Sequence, residues 1–103
     1  MPIYNKLVRD KIPEIISSTG KTPHYHVLNE TEYLIELDRK LNEECSEYQA
    51  DKSIEELADM LEVMYAICET RGYSAAELER CQKSKANSRG EFSKRIYLES
   101  VDE

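Results

Sequence analysis

Apolar residues recur at helical spacing over two consecutive stretches in the middle of the chain. In the first stretch they form one face at about 100° per residue, made of Leu34, Leu37, Leu41, Cys45 and Tyr48. In the second they cover one side with Leu57, Leu61, Met64, Tyr65 and Cys68, and extend round the other flank with Met60, Val63 and Ile67. This pattern predicts two amphipathic helices, near residues 30–50 and 54–71, joined by a tight turn.

Short polar signals predict where these helices begin and end. Asn29 followed by Glu32 is typical of a helix start. Gly72 predicts the end of the second long helix, and Ser74 with Glu77 predicts the start of a further helix. The middle of the chain is therefore predicted to be three consecutive helices.

The two ends of the chain carry weaker signals. Asp10 is predicted to cap a short helix over residues 11–18, with Gly20 just past its end. Residues 21–28 and 95–99 are predicted to be short extended segments, the second of which pairs with the first near residues 26–28. The predicted fold is thus all-α, a helical bundle with one or two short extended segments.

Each of the two long helices carries a pair of acidic residues three positions apart. The pairs are Glu44 with Glu47, and Glu56 with Asp59. Residues i and i+3 lie on one face of a helix, so two antiparallel helices could bring all four carboxylates together. Clustered carboxylates repel one another, and a hard divalent cation such as Mg²⁺ or Mn²⁺ removes that repulsion. The spacing therefore favours a metal site.

A simpler interpretation is that these acids serve the helices themselves. Ser53 and Glu56 have the spacing of a capping box, and acidic residues near helix starts are favoured by the helix dipole. Capping explains neither Asp59 in the middle of a helix nor the Glu44 and Glu47 pair far from a helix start. The set of four is therefore harder to explain by capping than any single member.

Length and charge limit the classes of partner. The 103 residues predict a single domain over residues 1–103, and the net charge of −7 argues against a nucleic-acid duplex or an anionic membrane as the main partner. The three cysteines have no metal-site spacing, and His24 and His26 lack a third ligand for zinc. Without an apolar run of membrane-spanning length or a signal-peptide core, the chain is expected to be cytoplasmic.

Basic residues are concentrated near both ends of this acidic chain. The clusters contain Lys6 and Arg9 near the start, and Lys83, Lys85, Arg89 and Arg95 near the end. They can be read as solvated charge, or as favourable charge at a helix C-terminus. They can also be read as groups that contact the phosphates of a nucleotide, for which arginine is well suited.

Several of these stretches together resemble one protein family. Glu44-Cys-Ser-Glu47 followed by Glu56-Leu-Ala-Asp59 resembles the paired acidic motifs of the MazG-like, all-α nucleoside triphosphate pyrophosphohydrolases, which include phosphoribosyl-ATP pyrophosphohydrolase-like proteins. The opening stretch from Tyr4 to Pro13 and the basic ending from Lys83 to Ile96 are similar to short members of that family. Only eight residues separate Glu47 from Glu56, fewer than in many larger relatives, which leaves the substrate class open.

The resemblance implies hydrolysis of the α–β phosphoanhydride of a nucleoside triphosphate. Glu44, Glu47, Glu56 and Asp59 would hold Mg²⁺, with Glu47, or else Glu44, as the base that activates water. The basic residues would position the triphosphate. A homodimer or homotetramer is expected both from the resemblance and from the wide apolar surface of the second long helix.

Two other classes of protein remain compatible with the sequence. The helices could form a non-catalytic oligomerisation or interaction module in which the acids are caps and surface charge. A di-iron protein also uses glutamates on paired helices, but it normally needs Glu-x-x-His pairs, and both histidines lie outside the predicted helices.

Overall fold

The computed structural model describes residues 2–102 and is all-α, as predicted. Its four helices are α1 (Ile12–Ser18), α2 (Glu30–Asp51), α3 (Ile54–Thr70) and α4 (Ala75–Arg89). The segments 21–28 and 95–99 lie outside the helices, but no strand occurs among the described residues. The predicted pairing between these two segments is therefore wrong.

Three of the helices begin at the predicted caps. The side chains of Asn29, Ser53 and Ser74 each accept a hydrogen bond from the backbone N–H three residues later, at 2.9, 3.4 and 3.1 Å. Each bond satisfies a donor that the helix start leaves free. Helix α1 differs, because its N-cap is Lys11 without a side-chain bond, so Asp10 is not the cap. Pro13 in its first turn has a φ suited to the helix and lacks a donor to satisfy.

The end of α3 turns the chain sharply toward α4. Gly72 has a φ of +90°, which a residue without a Cβ adopts at little cost. The Tyr73 N–H donates to Cys68 O at 2.8 Å and the Gly72 N–H to Glu69 O at 3.1 Å. These two bonds form the Schellman arrangement and satisfy carbonyls that the helix end exposes.

The main packing contact of the chain is between α2 and α3. These helices are joined by two residues, of which Lys52 adopts a left-handed conformation, and they run back along each other as a hairpin. The buried apolar side chains among residues 2–102 are Leu37 of α2 and Val63 of α3, which are 2% and 8% exposed. Helix α4 contacts α3, whereas α1 packs against no other helix of the described chain.

One apolar flank of α3 is only partly covered by the rest of the described chain. Val63 is buried, and Met60 and Ile67 beside it are half-buried. Leu57, Leu61 and Met64, on the next face, remain 47%, 43% and 36% exposed. A third face of the helix is polar and exposed, and it carries Glu55, Glu62 and Glu69. The hairpin thus buries one flank of α3 and leaves the leucine flank open.

The described chain is more extended than a compact domain of its length. Its Cα radius of gyration is 18.2 Å, against about 13 Å expected for roughly 100 residues. The three cysteines are free thiols. No helix among residues 2–102 is long and apolar enough to cross a membrane.

Candidate metal centre

Three of the four predicted acidic residues meet where α2 and α3 pack together. Glu44 comes from α2, and Glu56 and Asp59 come from the first two turns of α3. One carboxylate oxygen from each lies within 4.8 Å of the others. Glu44 is only 6% exposed, whereas Glu56 and Asp59 are half-buried. The short link between the helices places the two acidic motifs side by side.

Two oxygens of this cluster are buried without a hydrogen-bond partner among the described residues: Oε2 of Glu44 and Oε2 of Glu56. The capping interpretation does not account for them. Ser53 accepts a bond from the Glu56 N–H, but the Glu56 carboxylate does not return one to Ser53. A buried acceptor left in this state costs about 1–3 kcal/mol. Converging carboxylate oxygens suit Mg²⁺ or Mn²⁺, so the residues fit such an ion.

The setting of the cluster also disfavours negative charge on its members. Burial raises the pKa of Glu56 to about 7, with further contributions from the charges of Glu47 and Asp59. Burial likewise raises the pKa of Glu44, followed by the effect of the neighbouring Glu47. Each additional carboxylate makes ionisation of the next one harder. A divalent cation would reverse this effect by stabilising the ionised forms.

Glu47, the fourth predicted residue, lies beside the trio. Its side chain is exposed, and it does not share the close approach of the other three. It is nevertheless near enough to raise the pKa of both Glu44 and Glu56. Glu47 is thus an accessible carboxylate next to a buried acidic cluster.

Lys40 is a neighbour of the cluster that the sequence analysis did not single out. Its Nζ lies 3.5 Å from Glu44 Oε1 and 3.3 Å from Glu43 Oε2. The i,i+4 and i,i+3 spacings on α2 were the available signal. Glu43 is half-buried, and Lys40 and Lys6 both bind its carboxylate.

The basic cluster near the start of the chain also reaches the acidic residues. Arg9 Nη2 donates to Asp59 Oδ1 at 2.7 Å, and Lys6 Nζ donates to Glu43 Oε1 at 3.2 Å. The hydrogen bond to Glu43 raises the pKa of Lys6. In this structure Lys6 and Arg9, the two predicted phosphate-binding residues near the start of the chain, are therefore both paired with carboxylates.

The basic residues near the end of the chain do not join the cluster. Lys83, Lys85 and Arg89 are exposed on α4, and Arg95 lies beyond its end in a left-handed conformation with a φ of 57°. None of them forms an ion pair with an acidic side chain of residues 2–102. Among the described residues, the carboxylates of Glu43, Glu44 and Asp59 are therefore paired only with Lys6, Arg9 and Lys40.

Comparison with known proteins adds little to this geometry. No protein-family model matches the chain, and no solved structure matches it. An uncharacterized protein of Mycolicibacterium smegmatis (strain ATCC 700084 / mc(2)155) is 49% identical over 45 residues, which cover 44% of this chain and 46% of that protein. The chain thus matches about half the length of a relative whose name carries no activity. Any function has to be argued from the site.

Proposed function

We propose that the chain is a metal-dependent nucleotide pyrophosphohydrolase. It would cleave the α–β phosphoanhydride of a nucleoside triphosphate, or of a phosphoribosyl-ATP-like nucleotide, into a monophosphate and pyrophosphate. The supporting observation is the unpartnered, buried oxygen of Glu44, which lies in a cluster with Glu56 and Asp59. The reaction class comes from the resemblance of the acidic motifs to MazG-like pyrophosphohydrolases.

The acidic cluster would hold the metal. Glu44, Glu56 and Asp59 offer converging oxygens, and Glu47 could add another from the exposed side. When bound, Mg²⁺ would neutralise phosphate charge and lower the pKa of a coordinated water. The burial of Glu44 keeps its oxygens fixed and largely shielded from solvent.

An exposed carboxylate beside the cluster would move the proton. Glu47 is our first choice for the base, because its side chain is exposed to water and lies near enough to raise the pKa of both Glu44 and Glu56. A base that acts on a water molecule must lie within hydrogen-bonding reach of it. Glu44 is the second choice, because its carboxylate lies within the cluster itself.

The cationic side chains would bind the phosphates. Lys6 and Arg9 already lie against the acidic cluster, one on Glu43 and one on Asp59. Four further cations, Lys83, Lys85, Arg89 and Arg95, form no ion pair with the cluster within the described chain. We propose that they reach the site of a neighbouring copy in a homodimer or homotetramer.

The open flank of α3 supports this assembly. Leu57, Leu61 and Met64 form a continuous exposed apolar row on a helix whose other flank is already packed. A single chain this extended, with a radius of gyration of 18.2 Å, buries little apolar surface. A second copy would cover the row of Leu57, Leu61 and Met64. The three free thiols fit a reducing, cytoplasmic location.

The decisive test is pyrophosphate release from a panel of canonical and modified nucleoside triphosphates and phosphoribosyl-ATP, with Mg²⁺ and with EDTA. We expect release with Mg²⁺ only, together with a monophosphate product. Asp59→Asn should abolish release while circular dichroism still shows full helicity. The matched control is Glu62→Gln on the exposed face of the same helix, which should keep full activity.

Two results would overturn this proposal. Full activity of Asp59→Asn would remove the cluster from the mechanism. Absence of release from every nucleotide, together with no thermal stabilisation by Mg²⁺ or Mn²⁺, would favour the alternative of a non-catalytic oligomerisation module built on the open flank of α3.

A further inference from the structure

The pairing of Arg9 with Asp59 suggests a role for the N-terminal arm, residues 2–11. The 2.7 Å contact places a guanidinium on one of the three carboxylates that would hold the metal. We propose, building on the function above, that Arg9 occupies Asp59 in the metal-free protein and is released when a divalent cation binds. The freed arm would then carry Arg9 to the nucleotide phosphates.

The arm is attached to the rest of the chain in a way that permits release. Helix α1, which follows the arm, packs against no other helix of residues 2–102. The arm's described ion pairs are Arg9 with Asp59 and Lys6 with Glu43, and the side chains of Arg9 and Lys6 are 58% and 42% exposed. Solvent-exposed pairs of this kind contribute little to stability, so a competing ligand can displace them.

A bound divalent cation weakens the attraction between the cluster and Arg9, because it neutralises part of the negative charge of Glu44, Glu56 and Asp59. Without metal, Arg9 and Lys40 are the described cations that contact members of the trio. A divalent cation at the same oxygens would repel the guanidinium and take over its role at Asp59. A guanidinium released beside the site is then available for bidentate contact with phosphate oxygens.

Competition of this kind has a measurable size. Since Arg9 and the metal would compete for the carboxylate of Asp59, removing the charge of Arg9 should strengthen metal binding by the nucleotide-free protein. An exposed ion pair of ordinary strength corresponds to a change of about two- to fivefold in the dissociation constant. By thermodynamic reciprocity, metal binding weakens the Arg9–Asp59 ion pair by the same factor.

Nuclear magnetic resonance of the ¹⁵N-labelled full chain, titrated with MgCl₂ in the absence of nucleotide, tests both effects. The variant Arg9→Gln should bind Mg²⁺ about two- to fivefold more tightly than the unaltered chain. The matched control is Arg39→Gln, which removes the same charge from a 2.7 Å pair with Glu36 within α2 and should leave the affinity unchanged.

The same titration reports on the arm. The heteronuclear NOE of residues 6–10 should fall as the unaltered chain is saturated with Mg²⁺, and should be low throughout in Arg9→Gln. Equal or weaker Mg²⁺ binding by Arg9→Gln, or an arm whose NOE does not fall, would refute the release of Arg9 and leave the proposed hydrolase intact. Failure of both proteins to bind Mg²⁺ would instead overturn the metal centre, and the release with it.

Discussion

Replacing Glu44 by glutamine should change stability in opposite directions with and without Mg²⁺. The carboxylate is buried, its Oε2 has no hydrogen-bond partner, and it lies beside Glu56 and Asp59. Glutamine keeps the shape of the side chain and removes the charge. Lys40, which would lose one partner, keeps Glu43 at 3.3 Å. In EDTA at pH 8 we therefore expect the variant to be more stable by about 1 kcal/mol.

With Mg²⁺ the order should reverse. Ligand at 100 times its dissociation constant stabilises the folded state by about 2.7 kcal/mol. The unaltered chain should gain this amount, whereas Glu44→Gln, which lacks one ionised ligand, should gain almost nothing. For a domain of this size 1 kcal/mol corresponds to about 4–8 °C in Tm. The variant should therefore melt several degrees higher in EDTA and several degrees lower in Mg²⁺.

Thermal unfolding by circular dichroism at one fixed protein concentration is a suitable assay, because assembly makes Tm depend on concentration. Glu55→Gln is the control, since Glu55 is exposed and next in sequence to Glu56. It should shift the melting temperature by the same amount in EDTA and in Mg²⁺, because its charge acts on the start of α3 and not on the metal. If Glu44→Gln is destabilised in EDTA, or responds to Mg²⁺ as strongly as Glu55→Gln does, our account of the cluster is wrong.

Three further predictions follow from the pKa of Glu56, the turn at Gly72 and the open flank of α3. Because the pKa of Glu56 is raised from 4.5 to about 7, the metal-free folded state binds an extra proton between these values, so its stability should fall as pH rises through them. Over the same range Mn²⁺ affinity should rise, by up to about tenfold per pH unit, and a flat titration profile would contradict the assignment. Gly72→Ala should lower the free energy of unfolding by about 1 kcal/mol in denaturant titrations. The loss comes from backbone strain at a φ of +90° and not from a clash, because an added Cβ meets nothing within 4 Å. Leu61→Asp should convert the proposed oligomer to monomer in light-scattering measurements while Glu62→Gln does not, and an unchanged mass for Leu61→Asp would place the interface elsewhere.

The helix boundaries were largely predictable because the forces that set them are local. Asn29, Ser53 and Ser74 each bond to a backbone N–H three residues away, and Gly72 is required by the φ of a single turn. The failed prediction, Asp10 as the cap of α1, concerns a seven-residue helix with no helix packed against it in the described chain. With so little packing, one competing local preference, that of Pro13, is enough to move the boundary.

The acidic trio was predictable for a related reason, whereas the pairing of Arg9 with Asp59 was not. Residues three apart share a helix face, so helix geometry alone places Glu56 beside Asp59. Arg9 meets Asp59 across fifty positions of sequence, and no local pattern selects that pair. Arginines near an acidic cluster are equally compatible with binding a phosphate, so charge alone could not tell which anion Arg9 would contact.

The orientation of α3 links the candidate site to the open apolar flank. Both flanks of the helix are apolar, so the pattern alone does not decide which of them packs on α2. Glu56 shares its flank with Val63, and rotating α3 by about 100° to bury Leu57 instead would carry Glu56 away from Glu44. Closing the acidic cluster therefore leaves the leucine flank uncovered. Substitutions that favour burial of Leu57 and Leu61 within one chain should for the same reason weaken metal binding, even though neither residue touches the metal.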